Sequence, residues 1–208
     1  MRSQDFDNIA LLIGLAILGI ALMYLVSAAI AWLQRRRGTA DERQIEKLIK
    51  KHNLAYLKKA TLSDGVDGYI FADYLIQLPR EIITLNVLLH PGNIFGGDKL
   101  HLWTQVHHGR STTFQNPLIQ AKAFAQRCTQ LIDGMPVSAY VLFGRQSRFP
   151  KGVPQGVLFL ETFKSNLESF DKAAPTDPAC EKAWRQLVEI AAEHQQALRS
   201  EASLSRPL

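Results

Sequence analysis

Residues 82–96 read Ile-Ile-Thr-Leu-Asn-Val-Leu-Leu-His-Pro-Gly-Asn-Ile-Phe-Gly, and this stretch decides the fold. Its first part, Ile82 to Leu89, is an almost unbroken run of β-branched and other apolar residues, which favours a central strand covered on both faces. Pro91 and Gly92 then interrupt the strand, because proline lacks an amide hydrogen and glycine supports tight turns. The stretch therefore predicts a buried strand that runs into a loop bounded by glycines.

Further strands and a helix are expected on either side of this central strand. Residues 69–78 read as a strand of apolar and aromatic residues, and residues 100–107 read as another. A helix is expected from about Leu118 to Ile132, followed by strands over residues 137–143 and 157–160. Strands that alternate with a helix predict an α/β domain with a mixed sheet flanked by helices.

Two amphipathic helices are predicted at the ends of this domain. The first runs from residue 41 to about residue 59. The second covers residues 180–199 and follows a start signal, Thr-Asp-Pro, at residues 176–178. Its apolar face either packs on the core or binds a partner, and packing is the favoured interpretation. We expect the tail over residues 200–208 to be disordered.

The residues around the central strand form a set of motifs. Asp73 lies in the preceding strand, residues 92–96 read Gly-Asn-Ile-Phe-Gly, Trp103 follows, and residues 116–120 read Asn-Pro-Leu-Ile-Gln. Over about residues 41–160 this pattern resembles the NERD (nuclease-related) domain family. The resemblance implies a fold like that of restriction endonucleases, with a mixed sheet flanked by helices.

The resemblance also implies a nuclease site, and there this chain departs from the family. The family has a Glu-x-Lys where this chain has Asn86 and Leu88, on one face of the central strand. Asn86 offers only a neutral carbonyl to a metal ion, and Leu88 can neither orient water nor stabilise a phosphate. Asp73 remains, either as a metal ligand or as a carboxylate that is hydrogen-bonded at the strand edge. Gln120 and, in the first helix, Glu42 also match family positions.

Residues from neighbouring elements could replace the missing site residues, and the candidates are Glu81, His90 and Lys122. Only such a relocated site would take Mg²⁺ or Mn²⁺, and otherwise no cofactor is expected. The two cysteines, Cys128 and Cys180, are predicted to be reduced and buried, with no role in a metal cluster. The chain contains no glycine loop of the P-loop type and no Gly-x-Ser-x-Gly, so other enzyme classes have no support.

The N-terminal part of the chain predicts a membrane anchor. Residues 9–33 are 25 consecutive residues without a charge. As a helix they would extend ~37 Å, enough to cross a hydrocarbon core of ~30 Å. Arg35 to Arg37 follow directly, so the positive-inside rule places the domain in the cytoplasm and residues 1–8 on the other side. We expect a single-pass protein of a bacterial inner membrane, with the lipid bilayer as its first partner.

The net charge of +5 does not belong to the folded domain. Residues 34–59, the basic juxtamembrane segment and first helix, hold nine Lys/Arg against three Asp/Glu, whereas residues 60–208 hold fourteen of each. Phosphate binding normally needs a basic patch on the domain face. Three functions remain open: non-catalytic binding of nucleic acid, binding of a cytoplasmic or membrane protein, and metal-dependent cleavage of DNA or RNA at a relocated site. The missing Glu-x-Lys favours binding over cleavage.

Overall fold

The structure is a computed structural model, and it divides into two compact units, residues 1–44 and 45–208. The residues that it describes are Met23, 40–132, 135–169 and 176–204. The predicted membrane helix lies outside the described residues except for Met23. Within the described ranges, no helix combines the length and the apolar character needed to cross a bilayer.

Helices and strands follow one another through the described part of the chain. The helices are α1 (residues 40–51), α2 (Pro117–Leu131), α3 (Leu160–Ser169) and α4 (Pro178–Leu204). The strands are β1 (Tyr56–Ser63), β2 (Tyr69–Gln77), β3 (Ile82–Leu88), β4 (Gly92–Phe95), β5 (Leu102–His107), β6 (Arg110–Gln115), β7 (Val137–Phe143), β8 (Ser147–Arg148) and β9 (Val157–Phe159).

The strand predicted to be central is central. The first sheet has the order β1-β2-β3-β7-β9, in which β1, β2 and β3 are antiparallel and β3, β7 and β9 are parallel. Ile82 of β3 packs into a core shared with α2 and α4, while Ile83 and Leu85 pack into a second core shared with α1 and α3. All three side chains are fully buried. The mixed sheet flanked by helices is therefore as predicted.

A second sheet, which the sequence did not predict, has the order β6-β5-β4-β8 in the described residues. Its main contribution to the core is Trp103, which is fully buried. The indole stacks on Phe143 with ring centroids 6.2 Å apart, and the rings of Phe114 and Phe149 meet it edge-on. This aromatic cluster joins the second sheet to the end of β7 in the first.

The long C-terminal helix packs on the core, as favoured from the sequence. Cys180, Trp184 and Leu187 of α4 lie in the same buried cluster as residues of β1 and β2. The helix begins as expected, because the Asp177 carboxylate accepts a hydrogen bond from the Ala179 amide at 2.9 Å. It continues to Leu204, so the prediction of disorder from residue 200 is wrong for residues 200–204.

The boundary of the first helix was predicted wrongly. The helix ends at residue 51, and residues 56–63 form β1 instead of the last helical turns. Asn53 has a left-handed backbone with φ of 51°, which ends the helix. Pairing with β2 along β1 then overrides the helical spacing of the apolar residues. The loop expected between the glycines after β3 was also wrong in part. Residues 93–95 pair with β5 and form the strand β4.

Candidate functional site

A cleft opens where β2 and β3 separate. Pairing between these strands runs from Gln77 with Ile82 to Tyr74 with Leu85 and stops there. The cleft has a volume of about 830 Å³ and is lined by residues of β2, β3, the β5–β6 hairpin and the start of α2. The lining residues include Asp73, Asn86, Leu88 and Gln120. The structure therefore brings four of the five predicted site positions to one place.

The fifth predicted position, Glu42, is exposed in α1 and does not line the cleft. The candidates for a relocated site are also scattered. Glu81 lies before β3, far along that strand from Leu88, and its carboxylate accepts a hydrogen bond from the Ser138 hydroxyl at 2.7 Å. Lys122 is exposed on α2 outside the lining. Among these three candidates, only His90 lines the cleft.

Asp73 has a structural hydrogen bond. Its Oδ2 accepts a hydrogen bond from the backbone amide of Val87 in β3 at 2.7 Å. Because the backbone ladder between β2 and β3 ends at Tyr74, the carboxylate satisfies an amide just beyond the last pair. Of the two roles considered for Asp73, metal ligand and hydrogen-bonded carboxylate at a strand edge, the structure shows the hydrogen bond, and its donor lies in the neighbouring strand β3. A carboxylate has about four lone-pair positions, so further acceptor capacity remains.

Asn86 and Leu88 make the adjacent wall neutral and partly apolar. The Asn86 Oδ1 atom is buried and has no hydrogen-bond partner within the described residues. Leu88 packs at the edge of the cluster that contains Trp103 and Phe143. A buried carbonyl without a partner is unusual in a folded protein, and it marks a position where a donor group could bind.

The start of α2 forms another wall of the cleft. Asn116 caps the helix: its Oδ1 accepts from the Leu118 amide at 2.9 Å, and Pro117 follows in the first turn. The Asn116 Nδ2 also donates to the carbonyls of Gly97 at 3.3 Å and Leu100 at 2.8 Å. These contacts fix the loop between β4 and β5 against the helix.

The glycines of the Gly-Asn-Ile-Phe-Gly motif are required by close packing. Gly92 has φ of +94°, and a Cβ there would overlap the Val106 carbonyl. A Cβ on Gly96 would overlap the Trp103 indole. The indole Nε1 donates to the Gly97 carbonyl at 3.2 Å, the same oxygen that Asn116 contacts. These motif residues therefore build the frame of the cleft and supply none of its chemistry.

His90 is held in place on the cleft wall. Its Nδ1 lies 3.2 Å from Oε1 of Gln105, and its ring stacks on Phe114 with centroids 4.7 Å apart. Gln105 in turn donates to the Pro91 carbonyl at 2.7 Å. One ring nitrogen is thus engaged within the protein, and the stacked pair of rings forms part of the wall.

The rest of the lining is largely apolar, and sequence reasoning did not identify it. Phe71, Leu102 and Ile119 line the cleft with exposed fractions of 44%, 59% and 46%. Phe71 stands two residues before Asp73 in β2, a spacing that could have indicated it. No local signal identifies Leu102 or Phe114, because only the pairing of β5 with β6 and the packing of that hairpin bring them here.

The charges of the cleft do not match those of a metal-dependent nuclease. Asp73 is the only Asp or Glu among the lining residues, and none of the described lining residues is Lys or Arg. Asp73 and Asn86 together offer one carboxylate and one neutral amide oxygen, which is the low end of the one or two carboxylates that typically hold Mg²⁺ together with phosphate oxygens. Across the described residues there is no group of three or more His, Cys, Asp or Glu that could hold a metal ion. The described lining therefore offers a metal ion a single negative charge, from Asp73.

Comparison with known protein families identifies the domain that contains this cleft. The model of the nuclease-related domain, NERD, matches residues 37–144, just over half of the 208-residue chain. The match includes the central strand β3, all the lining residues of the cleft and β7, where it ends. No curated protein and no solved structure matches the chain.

Proposed function

Because the chain belongs to the nuclease-related domain family, we propose that its cleft descends from a nuclease site and now binds a partner without cutting nucleic acid. One observation carries this proposal: Asn86 and Leu88 line the cleft. The resemblance to the family implies that these two positions hold its carboxylate and lysine. Asp73 is the remaining charged position, and its carboxylate is engaged with the Val87 amide. The cleft is formed, but the charged groups for cleavage are missing.

The chemistry of cleavage explains why these two substitutions matter. A phosphodiester nuclease must hold a metal ion, activate a water molecule and stabilise negative charge that develops on the phosphate. Asn86 brings no negative charge to the metal, and the side chain of Leu88 cannot donate a hydrogen bond to the phosphate. The absence of both groups weakens the binding of a metal ion and removes a donor that would stabilise the charge on the phosphate.

We further propose that the domain is displayed in the cytoplasm by a single-pass anchor in a bacterial inner membrane. The uncharged residues 9–33 and the basic residues 35–37 support this topology. Anionic lipid headgroups would attract the basic segment over residues 34–59 by ~1 kcal/mol for each Lys or Arg near the surface. Nucleic acid could also contact this segment, but residues 60–208 carry no net charge and so provide little attraction for phosphate groups.

A cleavage assay with a restored site tests the non-catalytic function. We expect no cleavage of single- or double-stranded DNA or RNA by the full-length chain with Mg²⁺ or Mn²⁺. The double variant Asn86→Glu with Leu88→Lys restores the family's charges beside Asp73 and should cleave. The double variant Asn86→Gln with Leu88→Met changes side-chain size similarly without adding charge, and it should not cleave any of these substrates. Cleavage by the unmodified chain that Asp73→Ala abolishes would overturn the proposal.

The second candidate is a nuclease with a relocated site, and His90 is the observation in its favour because it lines the cleft. In that case Asp73 and His90 would both be needed, and His90→Ala would abolish cleavage by the unmodified chain. The contact of His90 with Gln105 already engages one ring nitrogen, which weakens this candidate.

A further inference from the structure

We propose that the cleft holds the side chain of a lysine or arginine from an extended segment of a partner protein. This inference rests on the proposed function, since it names the ligand of the same non-catalytic cleft. The observation behind it is a surplus of hydrogen-bond acceptors in the cleft, together with exposed aromatic and aliphatic walls.

The acceptors lie where the two strands separate. The buried Oδ1 of Asn86 has no hydrogen-bond partner in the described residues, and the Asp73 carboxylate uses one position for the Val87 amide. Leaving a buried acceptor unpaired destabilises the protein. The Oδ1 atom has almost no exposed surface, so an incoming donor would satisfy it only if the Asn86 side chain turned toward the cleft. Ammonium and guanidinium groups carry only donors, so they complement a carboxylate and an amide oxygen.

The charge of the cleft also favours a basic ligand. Asp73 provides its negative charge, and among the described lining residues there is no Lys or Arg that could neutralise it. A phosphate group would be repelled by this carboxylate, and the described lining offers it only the histidines His90 and His101 in place of Lys or Arg, so the cleft disfavours a nucleic-acid backbone. A basic side chain has a charge complementary to that of Asp73, and no Lys or Arg of the described lining competes for this carboxylate.

The walls of the cleft suit the rest of such a segment. Phe71 and Phe114 line the cleft, and aromatic faces attract a cation within about 6 Å of the ring centroid. Leu102 and Ile119 are exposed to 59% and 46% at its edge and can cover apolar neighbours of the basic residue. The volume of about 830 Å³ lies within the range of roughly 300–1,000 Å³ of ligand-binding pockets, which is more than one side chain needs.

An edge strand beside the cleft offers a backbone partner. In the described sheet β6 pairs with β5 on one side only, and its residues Phe114 and Gln115 line the cleft. An extended segment can add to such an edge through backbone hydrogen bonds, with alternate side chains directed into pockets. This arrangement would place the basic residue toward Asp73 and an apolar residue toward Leu102.

Peptide binding to the full-length chain, held in a nonionic detergent, tests the inference. The probe is acetyl-Val-Leu-Lys-Leu-Val-amide, and the matched probes carry norleucine or glutamate in place of lysine. Calorimetry should give an affinity for the lysine peptide about tenfold higher than for the norleucine peptide, a difference of ~1.4 kcal/mol. The glutamate peptide should bind more weakly than either.

Variants of the protein locate the peptide. Asp73→Asn keeps an oxygen that can accept from the Val87 amide, so it should fold, yet it should lose most of the preference for lysine over norleucine. Asn86→Asp should increase that preference, because it adds a second negative charge. Asp67→Asn removes a comparable carboxylate from an exposed turn outside the cleft and should change nothing.

Several results would overturn the inference. It fails if the lysine and norleucine peptides bind equally, or if the lysine peptide does not bind the unmodified chain. Displacement of the peptide by an oligonucleotide would assign the cleft to nucleic acid, and displacement by Mg²⁺ would assign it to a metal ion. The cleavage assay is a separate readout, so loss of peptide binding without any cleavage would contradict this inference and leave the proposed function intact.

Discussion

Replacement of Gly96 by alanine tests whether the Gly-Asn-Ile-Phe-Gly motif acts through packing. The new Cβ would overlap Cδ2 and Cγ of the Trp103 indole, so the indole must move. Trp103 is fully buried, and it has little room because Phe143 stacks on one face and Phe149 meets it edge-on. The added methyl group therefore strains the centre of the aromatic cluster around Trp103.

The cost follows from two contributions. Overpacking of a well-filled core costs ~1–3 kcal/mol. Displacement of the indole also breaks the hydrogen bond from Nε1 to the Gly97 carbonyl, which contributes about 1 kcal/mol. We expect Gly96→Ala to lower the free energy of unfolding by about 3 kcal/mol, which in a domain of this size lowers Tm by roughly 6–12 °C.

The neighbouring glycine provides a matched control. A Cβ on Gly97 would meet only Leu100, at 3.8 Å, an ordinary van der Waals contact. Gly97→Ala should therefore change the free energy of unfolding by less than about 0.5 kcal/mol. Urea denaturation followed by far-ultraviolet circular dichroism measures both variants. Equal destabilisation by the two substitutions, or none by Gly96→Ala, would refute the packing explanation.

Two further predictions concern the frame and its stability. Asn116→Ala removes the cap of α2 and two donor hydrogen bonds, and it should destabilise the protein by about 2–3 kcal/mol in urea denaturation. Asn116→Asp keeps the cap acceptor but sets a carboxylate against the Gly97 and Leu100 carbonyls in a buried site, so it should destabilise the protein at least as much. Burial raises the pKa of the Cys128 thiol from 9.0 to about 12, so above pH 9 the unfolded chain loses this proton before the folded one does. Stability should therefore fall by on the order of 2 kcal/mol between pH 9 and 10.5, and Cys128→Ala should reduce that fall; an unchanged fall would contradict the burial of this thiol.

The pattern of apolar residues predicted the strands that are covered on both faces of the first sheet. The central strand β3 and the neighbouring strands β2 and β7 were predicted within a residue or two, because their runs of apolar residues reflect burial directly. The strand β6 was missed because residues 110–113 are exposed and polar, so no pattern distinguishes them from a loop. Only its pairing with β5, from Leu102 with Gln115 to His107 with Arg110, makes it a strand.

The candidate site was likewise predicted from the sequence only in part. Asp73, Asn86, Leu88 and Gln120 were identified from the motifs, and the structure places all four around one cleft. The aromatic wall was not predicted, since the stacking of His90 on Phe114 depends on how the β5–β6 hairpin packs. Sequence motifs fix positions near one strand, whereas the opposite wall of a cleft depends on contacts between distant segments.

The separation of frame and chemistry supports the proposal that a cleft of the nuclease-related family persists here without the residues for cleavage. Gly96, Trp103 and Asn116 are held by mutual contacts, so a change at any of them destabilises the fold. Asn86 and Leu88 instead border the cleft and are only partly buried, so a change of side chain there alters the chemistry of the cleft at a smaller cost in packing than a change at Trp103. Asp73 belongs to both groups: its hydrogen bond to the Val87 amide supplies a reason for its presence that requires no metal ion and no cleavage. An intact motif set with Asp73 is therefore evidence for the fold, and activity must be judged from the residues that face the cleft.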